Sequence, residues 1–197
     1  MNDRLSALRA AGVLSALDEH LARTLCSIAG ESRESVRLAV ALVSHQVARG
    51  HVCVSLPALV RGELPVANDP EVDPELLRWP ALDDWSAALA NSRLVGPADA
   101  NTPLVFDAQQ RLYLRKHFAH ERDLGSELLR RIQAPELSVD GARLAEGLAR
   151  LFPKQGPDLQ RTAAELALRR PFSVISGGPG TGKTATVVKI LALVIEQ

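Results

Sequence analysis

The stretch Phe172-Ser-Val-Ile-Ser-Gly-Gly-Pro-Gly-Thr-Gly-Lys-Thr184 decides the fold of the C-terminal part of the chain. Residues 172–176 are an apolar run that suits a buried strand, and residues 183–196 show an apolar helical pattern. Between them, residues 177–184 satisfy the pattern G-x-x-x-x-G-K-[ST], which binds phosphates when a strand precedes it and a helix follows it. The sequence therefore predicts a strand, a phosphate-binding loop (P-loop) and a helix; the alternative is a chance glycine-rich turn.

The residue types of this turn suit a dense negative charge. Glycine has no Cβ and tolerates unusual dihedral angles, so successive backbone N–H groups can converge on phosphate oxygens. Lys183 is expected to reach the β- and γ-phosphates of a nucleotide, and the Thr184 hydroxyl is expected to ligate Mg²⁺. We therefore predict Lys183 and Thr184 as catalytic residues. The predicted phosphate-binding set is Gly177, Gly178, Pro179, Gly180, Thr181, Gly182, Lys183 and Thr184.

The composition excludes several classes of protein. Apolar residues make up 46% of the chain, and 23 basic side chains balance 23 acidic ones. The chain as a whole is thus no polycation, and any contact with nucleic acid must come from local patches. Residues 1–30 carry acidic side chains and lack the continuous apolar stretch of a signal peptide, and no apolar run is long enough to cross a bilayer. We expect a cytoplasmic protein with no membrane partner.

Upstream of the turn, apolar periodicity predicts a mixed α/β fold that is mostly helical. A helix is expected from Ser32, as N-cap, to Arg49, with Gly50 ending it. Short strands are expected at residues 51–56, 105–106 and 112–114, with a surface loop at residues 63–75. Further helices are predicted at residues 116–132, from Asp140 to about Leu151, and from Asp158 to about Arg169.

Two other groups of polar side chains resemble sites. His45, His51 and Cys53 match no common zinc spacing, so a metal role is not expected for them. Asp83 and Asp84 resemble a carboxylate pair, but capping of a short helix by one of them is the simpler explanation.

Three short segments extend the similarity beyond the P-loop. His51-Val-Cys-Val54, Arg111-Leu-Tyr-Leu114 and Leu151-Phe-Pro153 stand at distinctive separations from it. Together with the P-loop they resemble the RecD family, the alpha subunits of exodeoxyribonuclease V (the RecBCD enzyme), which are superfamily 1 DNA helicases. The resemblance covers nearly the whole chain. The P-loop is specific for nucleotide binding, whereas each upstream segment is weak by itself.

This resemblance implies a RecA-like P-loop NTPase domain that uses ATP and Mg²⁺. It implies an ATP-driven motor that moves 5′ to 3′ along single-stranded DNA, in a heterotrimer with RecB-like and RecC-like subunits. Such a complex unwinds and degrades broken duplex ends in double-strand break repair and recombination. The implied domains are residues 1–115 for docking on partner subunits, 116–153 as a helical connector, and 154–197 as the start of the motor.

The resemblance also gives Gln160 a role, because it matches the glutamine with which the family reads adenine. An amide offers both a donor and an acceptor to the adenine edge. The alternative is a solvent-facing glutamine at the start of a helix.

Two departures from the family are visible. Ala185 stands where a second threonine is common. No acidic pair and no arginine finger follow the P-loop before the sequence ends at Gln197, so we expect an N-terminal fragment that by itself does not hydrolyse ATP or unwind DNA. Two other functions stay open: a stand-alone superfamily 1 helicase, and a non-catalytic protein-docking module.

Overall fold

The computed structural model describes residues 3–63, 72–153 and 156–197. They form two compact units, Met1–Arg122 and Asp123–Gln197. The predicted division of the chain after residues 115 and 153 stays a prediction. Within the described ranges, no helix combines the length and the apolar character needed to span a membrane.

The first unit is mixed α/β, as predicted, with several helices and one small sheet. Its elements follow one another as α1 (Arg4–Ala10), α2 (Ala16–Ala29), α3 (Glu34–Ala48), β1 (Cys53–Ser55), α4 (Leu56–Val60), a short 3₁₀ helix (Pro74–Leu77), α5 (Leu82–Ala90), β2 (Val95–Gly96), β3 (Leu104–Phe106) and β4 (Arg111–Leu114). Helix α6 (Arg115–Gln133) continues from it across the boundary at residue 122.

Helix α3 forms the centre of the first unit. Val36, Ala39, Val40 and Val43 on one face of the helix are buried, and so are Leu38 and Leu42 on other sides. Burial extends around the helix because α2 packs on one part of its surface while α5, β1 and β4 pack on others. The predicted N-cap at Ser32 is wrong: the helix begins at Glu34, and Arg33 is its N-cap residue without a side-chain cap. The predicted end is confirmed, because Gly50 has a φ of +88° just after the helix.

The sheet has the strand order β1-β4-β3-β2. Strand β4 is antiparallel to both β1 and β3, and β2 is parallel to β3. The three predicted strands are thereby confirmed in kind, while β2 was not predicted because two residues leave no periodic pattern. The strand predicted to reach Leu56 ends at Ser55, whose hydroxyl caps α4 by accepting from the Ala58 N–H.

Of two further predictions in the first unit, one is wrong and the other falls partly outside the described residues. Helix α5 has Ala81 at its N-cap, so Asp83 and Asp84 do not cap it; they lie in its first turn, where negative charge is favourable. Of the loop predicted at residues 63–75, residues 64–71 lie outside the described part of the chain.

The second unit contains α7 (Gly141–Leu151), α8 (Leu159–Arg169) and α9 (Lys183–Glu196). Asp140 and Asp158 cap α7 and α8, as predicted, by accepting from two backbone N–H groups each. The three helices enclose a small apolar core made of Leu144, Leu148, Phe152, Ala164, Leu168 and Leu193. Gly147 lets α7 approach α9 closely, because a Cβ there would lie 2.3 Å from Leu193 Cδ2.

The strand predicted at residues 172–176 is not present. The segment belongs to no sheet, and Val174 is 76% exposed. A strand needs a neighbour for its backbone hydrogen bonds, and the sheet that the described residues form pairs only β1 to β4 with one another. Helix α9 is likewise covered on one side only: Leu193 is buried, whereas Val188 and Ile195 are exposed.

Candidate functional site

The glycine-rich turn forms a tight, exposed curl between residue 176 and α9. Gly180 and Gly182 have φ values of +76° and +81°, a region that side chains other than glycine rarely adopt. The Thr181 hydroxyl donates to the Gly178 carbonyl oxygen at 2.9 Å and so closes the curl on itself. A Cβ on Gly177 would lie 2.7 Å from the Thr181 hydroxyl oxygen. Gly177, Gly180 and Gly182 are therefore required by the shape of the turn.

The side chain of Lys183 lies over this curl. Its Nζ donates to the carbonyl oxygens of Gly177 and Gly178, both at 2.5 Å. An ammonium group has three N–H donors, and these two bonds use two of them. The positive charge is thus held at the start of the loop, within reach of an anion that enters the curl.

Helix α9 begins directly at the loop, with Gly182 as its N-cap residue. Its first turn contains no acidic residue, so the positive end of the helix dipole is not neutralised by its own side chains. Thr184 lies in this turn and is exposed. Backbone N–H groups at the start of a helix bind anions well, so loop and helix present positive potential together.

Thr186 fixes the loop from the helix side. It is 2% exposed, and its hydroxyl and its N–H both donate to the Gly182 carbonyl oxygen, at 3.0 and 2.9 Å. Thr186 was not among the residues predicted from the sequence. A signal was available, because Thr186 stands three residues after Lys183 and therefore on the same side of the helix.

Gln160 contacts the loop from α8. Its Nε2 donates to the Thr181 carbonyl oxygen at 3.0 Å, although 21 residues separate the two in sequence. The structure thus brings Gln160 together with the predicted phosphate-binding residues. Whether it reads adenine is not decided by this contact and stays a prediction.

A cleft of about 660 Å³ lies between the start of α8 and the loop, within the size range of small-molecule sites. Its polar lining includes Gln160, Thr181 and Lys183. Its apolar lining, which was not predicted from the sequence, includes Leu159, Ala163, Val174 and Ile175. The cleft therefore combines an apolar wall with a polar end that carries the Lys183 ammonium group and also the Asp158 carboxyl group.

A metal ion at this site would need ligands from the side chains that are present. Within residues 3–63, 72–153 and 156–197, no cluster of three or more His, Cys, Asp and Glu side chains is placed to hold one. Mg²⁺ at nucleotide sites needs no such cluster, because it takes most of its oxygen ligands from phosphates and water. The exposed hydroxyl of Thr184 beside Lys183 fits that limited role.

Comparisons with known families match both ends of the chain. The model described as RecBCD enzyme subunit RecD, N-terminal domain, matches residues 10–113. A model described as AAA domain matches residues 160–197, which include Gln160, the loop and α9.

Curated relatives agree with the first of these matches. The chain is 40% identical over 191 residues to the RecBCD enzyme subunit RecD of Mycobacterium tuberculosis, a match that covers 97% of the chain. It is 37% identical over 187 residues to the protein of the same name from Mycolicibacterium smegmatis, and 26% identical over 163 residues to that of Buchnera aphidicola subsp. Acyrthosiphon pisum. The chain spans about 30% of the length of these relatives.

Proposed function

The chain belongs to the RecD family of RecBCD enzyme subunits, and from this premise we propose that residues 177–184 bind the triphosphate of ATP and that the chain is part of an ATP-dependent DNA helicase subunit. The observation that carries the proposal is the position of Lys183 Nζ, which lies on the carbonyl oxygens of a glycine curl at the beginning of a helix. The match to the AAA domain model over residues 160–197 supports it.

Each part of the loop contributes differently to holding a polyphosphate. The N–H groups of Gly177, Gly178, Gly180, Thr181, Gly182, Lys183 and Thr184 are the proposed backbone donors. Pro179 has no N–H and shapes the curl without donating. Lys183 adds a full positive charge, and a hydrogen bond with one charged partner is roughly twice as strong as a neutral one.

Mg²⁺ is proposed to be held by the Thr184 hydroxyl together with phosphate oxygens of the nucleotide. When bound, the ion would neutralise charge that develops on the phosphates during their transfer. Lys183 and Thr184 are therefore the proposed catalytic residues of this part of the protein, and Gln160 is the proposed contact to adenine.

The role of the whole protein is inferred from the family. We propose movement 5′ to 3′ along single-stranded DNA, in a complex with RecB-like and RecC-like subunits that acts on broken duplex ends in repair and recombination. Residues 1–115 are proposed to dock on these partners and residues 154–197 to begin the RecA-like motor domain. Co-purification with both partner subunits is the expected result, and its absence would favour a stand-alone helicase.

The nucleotide site is tested by changing Lys183→Ala in the full-length protein and measuring ATP binding by isothermal titration calorimetry. We expect affinity to fall at least about 10-fold, because a charge-assisted bond of about 1.5–3 kcal/mol to the phosphates is removed. Lys189→Ala is the matched control: this lysine lies on the same helix but its Nζ lies 4.5 Å from the centroid of the Phe152 ring. Equal ATP affinity in wild type and Lys183→Ala would contradict the proposal.

A further inference from the structure

Gln160 makes a contact with the loop that adenine recognition does not require. Its Nε2 donates to the carbonyl oxygen of Thr181, inside the phosphate-binding loop, at 3.0 Å. The amide also lies against the next residue, because a Cβ on Gly182 would be 2.8 Å from Nε2. The side chain of Gln160 therefore packs on the backbone of two successive loop residues.

The direction of this hydrogen bond determines the orientation of a proposed phosphate donor. The peptide between Thr181 and Gly182 is trans. In a trans, planar peptide the C=O and the N–H point in opposite directions. When Gln160 holds the Thr181 carbonyl oxygen, it also sets the direction of the Gly182 N–H, one of the groups proposed to face the phosphates.

The carbonyl group of Gly182 is held by hydrogen bonds as well. The carbonyl oxygen of Gly182 accepts from the N–H and the hydroxyl of Thr186, which is buried in α9. Gly182 itself has a φ of +81°, a conformation that glycine adopts without strain. Gln160 on one side and Thr186 on the other thus hold the peptide planes that join the loop to α9.

We propose that Gln160 is a positioning residue for the phosphate-binding loop, which it holds in a binding-competent shape through the Thr181 carbonyl, independently of the base. An amide has two N–H donors and one acceptor oxygen, so this bond does not preclude contact with adenine. The inference rests on the nucleotide-binding function proposed above. It implies that Gln160 contributes to the affinity for any polyphosphate, including one without a base.

Inorganic tripolyphosphate separates the two roles of Gln160, because it presents the phosphates of ATP without adenine. We would measure its affinity, and that of ATP, by isothermal titration calorimetry with Mg²⁺ on the full-length protein. For Gln160→Ala and Gln160→Met we expect tripolyphosphate to bind about 3- to 10-fold more weakly, the effect of one hydrogen bond. The methionine variant keeps the length of the side chain, so it decides the result if the alanine variant folds poorly.

The matched control is Gln133→Ala, the same substitution at an exposed glutamine on α6, and we expect it to leave tripolyphosphate affinity unchanged. Thermal midpoints of the variants are expected to equal that of wild type, which separates positioning of the loop from general stability. Wild-type affinity for tripolyphosphate in both Gln160 variants would overturn the inference, even if discrimination between ATP and GTP were lost. Failure of the nucleotide site itself would look different, since wild type and Lys183→Ala would then bind tripolyphosphate equally.

Discussion

The close approach of α7 and α9 at Gly147 predicts that a larger side chain there lowers the free energy of unfolding. A Cβ added to Gly147 would lie 2.3 Å from Leu193 Cδ2, whereas ordinary contacts begin near 3.4 Å. Gly147→Ala therefore requires a displacement of roughly 1 Å in a packed core. Leu193 is 1% exposed, so its side chain cannot move away from the added methyl group without disturbing this core.

Two effects of Gly147→Ala oppose each other. Alanine is favoured over glycine inside a helix by about 0.8–1 kcal/mol. Overpacking a core costs about 1–3 kcal/mol. Because the added Cβ would lie only 2.3 Å from Leu193 Cδ2, we expect a cost near the upper end of that range. We therefore expect a net loss of about 1–2 kcal/mol in the free energy of unfolding of the second unit. Gly125→Ala on α6 is the matched control, because a Cβ there meets nothing within 4 Å and the substitution should stabilise the helix.

Hydrogen exchange measured by mass spectrometry reports these changes segment by segment. A loss of 1–2 kcal/mol corresponds to exchange of α7 and α9 amides that is roughly 5- to 30-fold faster. Gly125→Ala is expected to slow exchange in α6 instead. If Gly147→Ala slowed exchange in α7 and α9 as well, the close packing of the two helices at this residue would be refuted.

Two further predictions concern Glu19 and Thr186, side chains for which the sequence predicted no role. Hydrogen bonds from Arg23, Ser6 and Arg9 lower the pKa of Glu19 to about 2 from its ordinary 4.5; a lowered pKa stabilises the fold above about pH 4.5, and this contribution is lost as pH falls towards 2. In urea titrations Glu19→Gln should therefore lower the free energy of unfolding by about 1–2 kcal/mol at neutral pH. This difference from wild type should shrink as pH falls from 4.5 towards 2. A difference that stays constant with pH would speak against the role of Glu19. Thr186→Val should lower the free energy of unfolding by about 0.5–1.5 kcal/mol and speed amide exchange in the first turn of α9, because it removes a buried hydrogen bond of the hydroxyl. Thr162→Val is the control: Thr162 is an exposed helical threonine that also donates to a carbonyl four residues back, and its substitution should lower the free energy of unfolding by less.

The parts of the chain that the sequence predicted well depend on neighbours in sequence. Asp140 and Asp158 accept from N–H groups two and three residues away, so these two caps could be recognised locally, whereas the caps predicted at Ser32 and at Asp83 or Asp84 were wrong. The curl at residues 177–184 is likewise built from bonds between residues at most six apart, which is why a short pattern identifies it.

Other predictions failed because the outcome depends on a partner distant in sequence. The apolar run at residues 172–176 has the composition of a strand, but pairing needs a neighbouring strand, and the described residues offer none to it. Strand β2 forms from Val95 and Gly96, which carry no pattern, because Leu104 and Val105 lie alongside them in β3.

The amino-acid sequence by itself determined the helices of the second unit and the glycines and Lys183 that form the curl at residues 177–184, because backbone dihedral preferences and bonds over a few residues suffice for these. Only the tertiary structure decided which faces are buried, how closely α7 approaches α9 at Gly147, and that the Gln160 amide lies on the Thr181 carbonyl. Those features depend on contacts between segments separated by 20 residues or more. Local periodicity shows that a face is apolar but does not show what covers it, because burial and long-range hydrogen bonds depend on which segments meet in space.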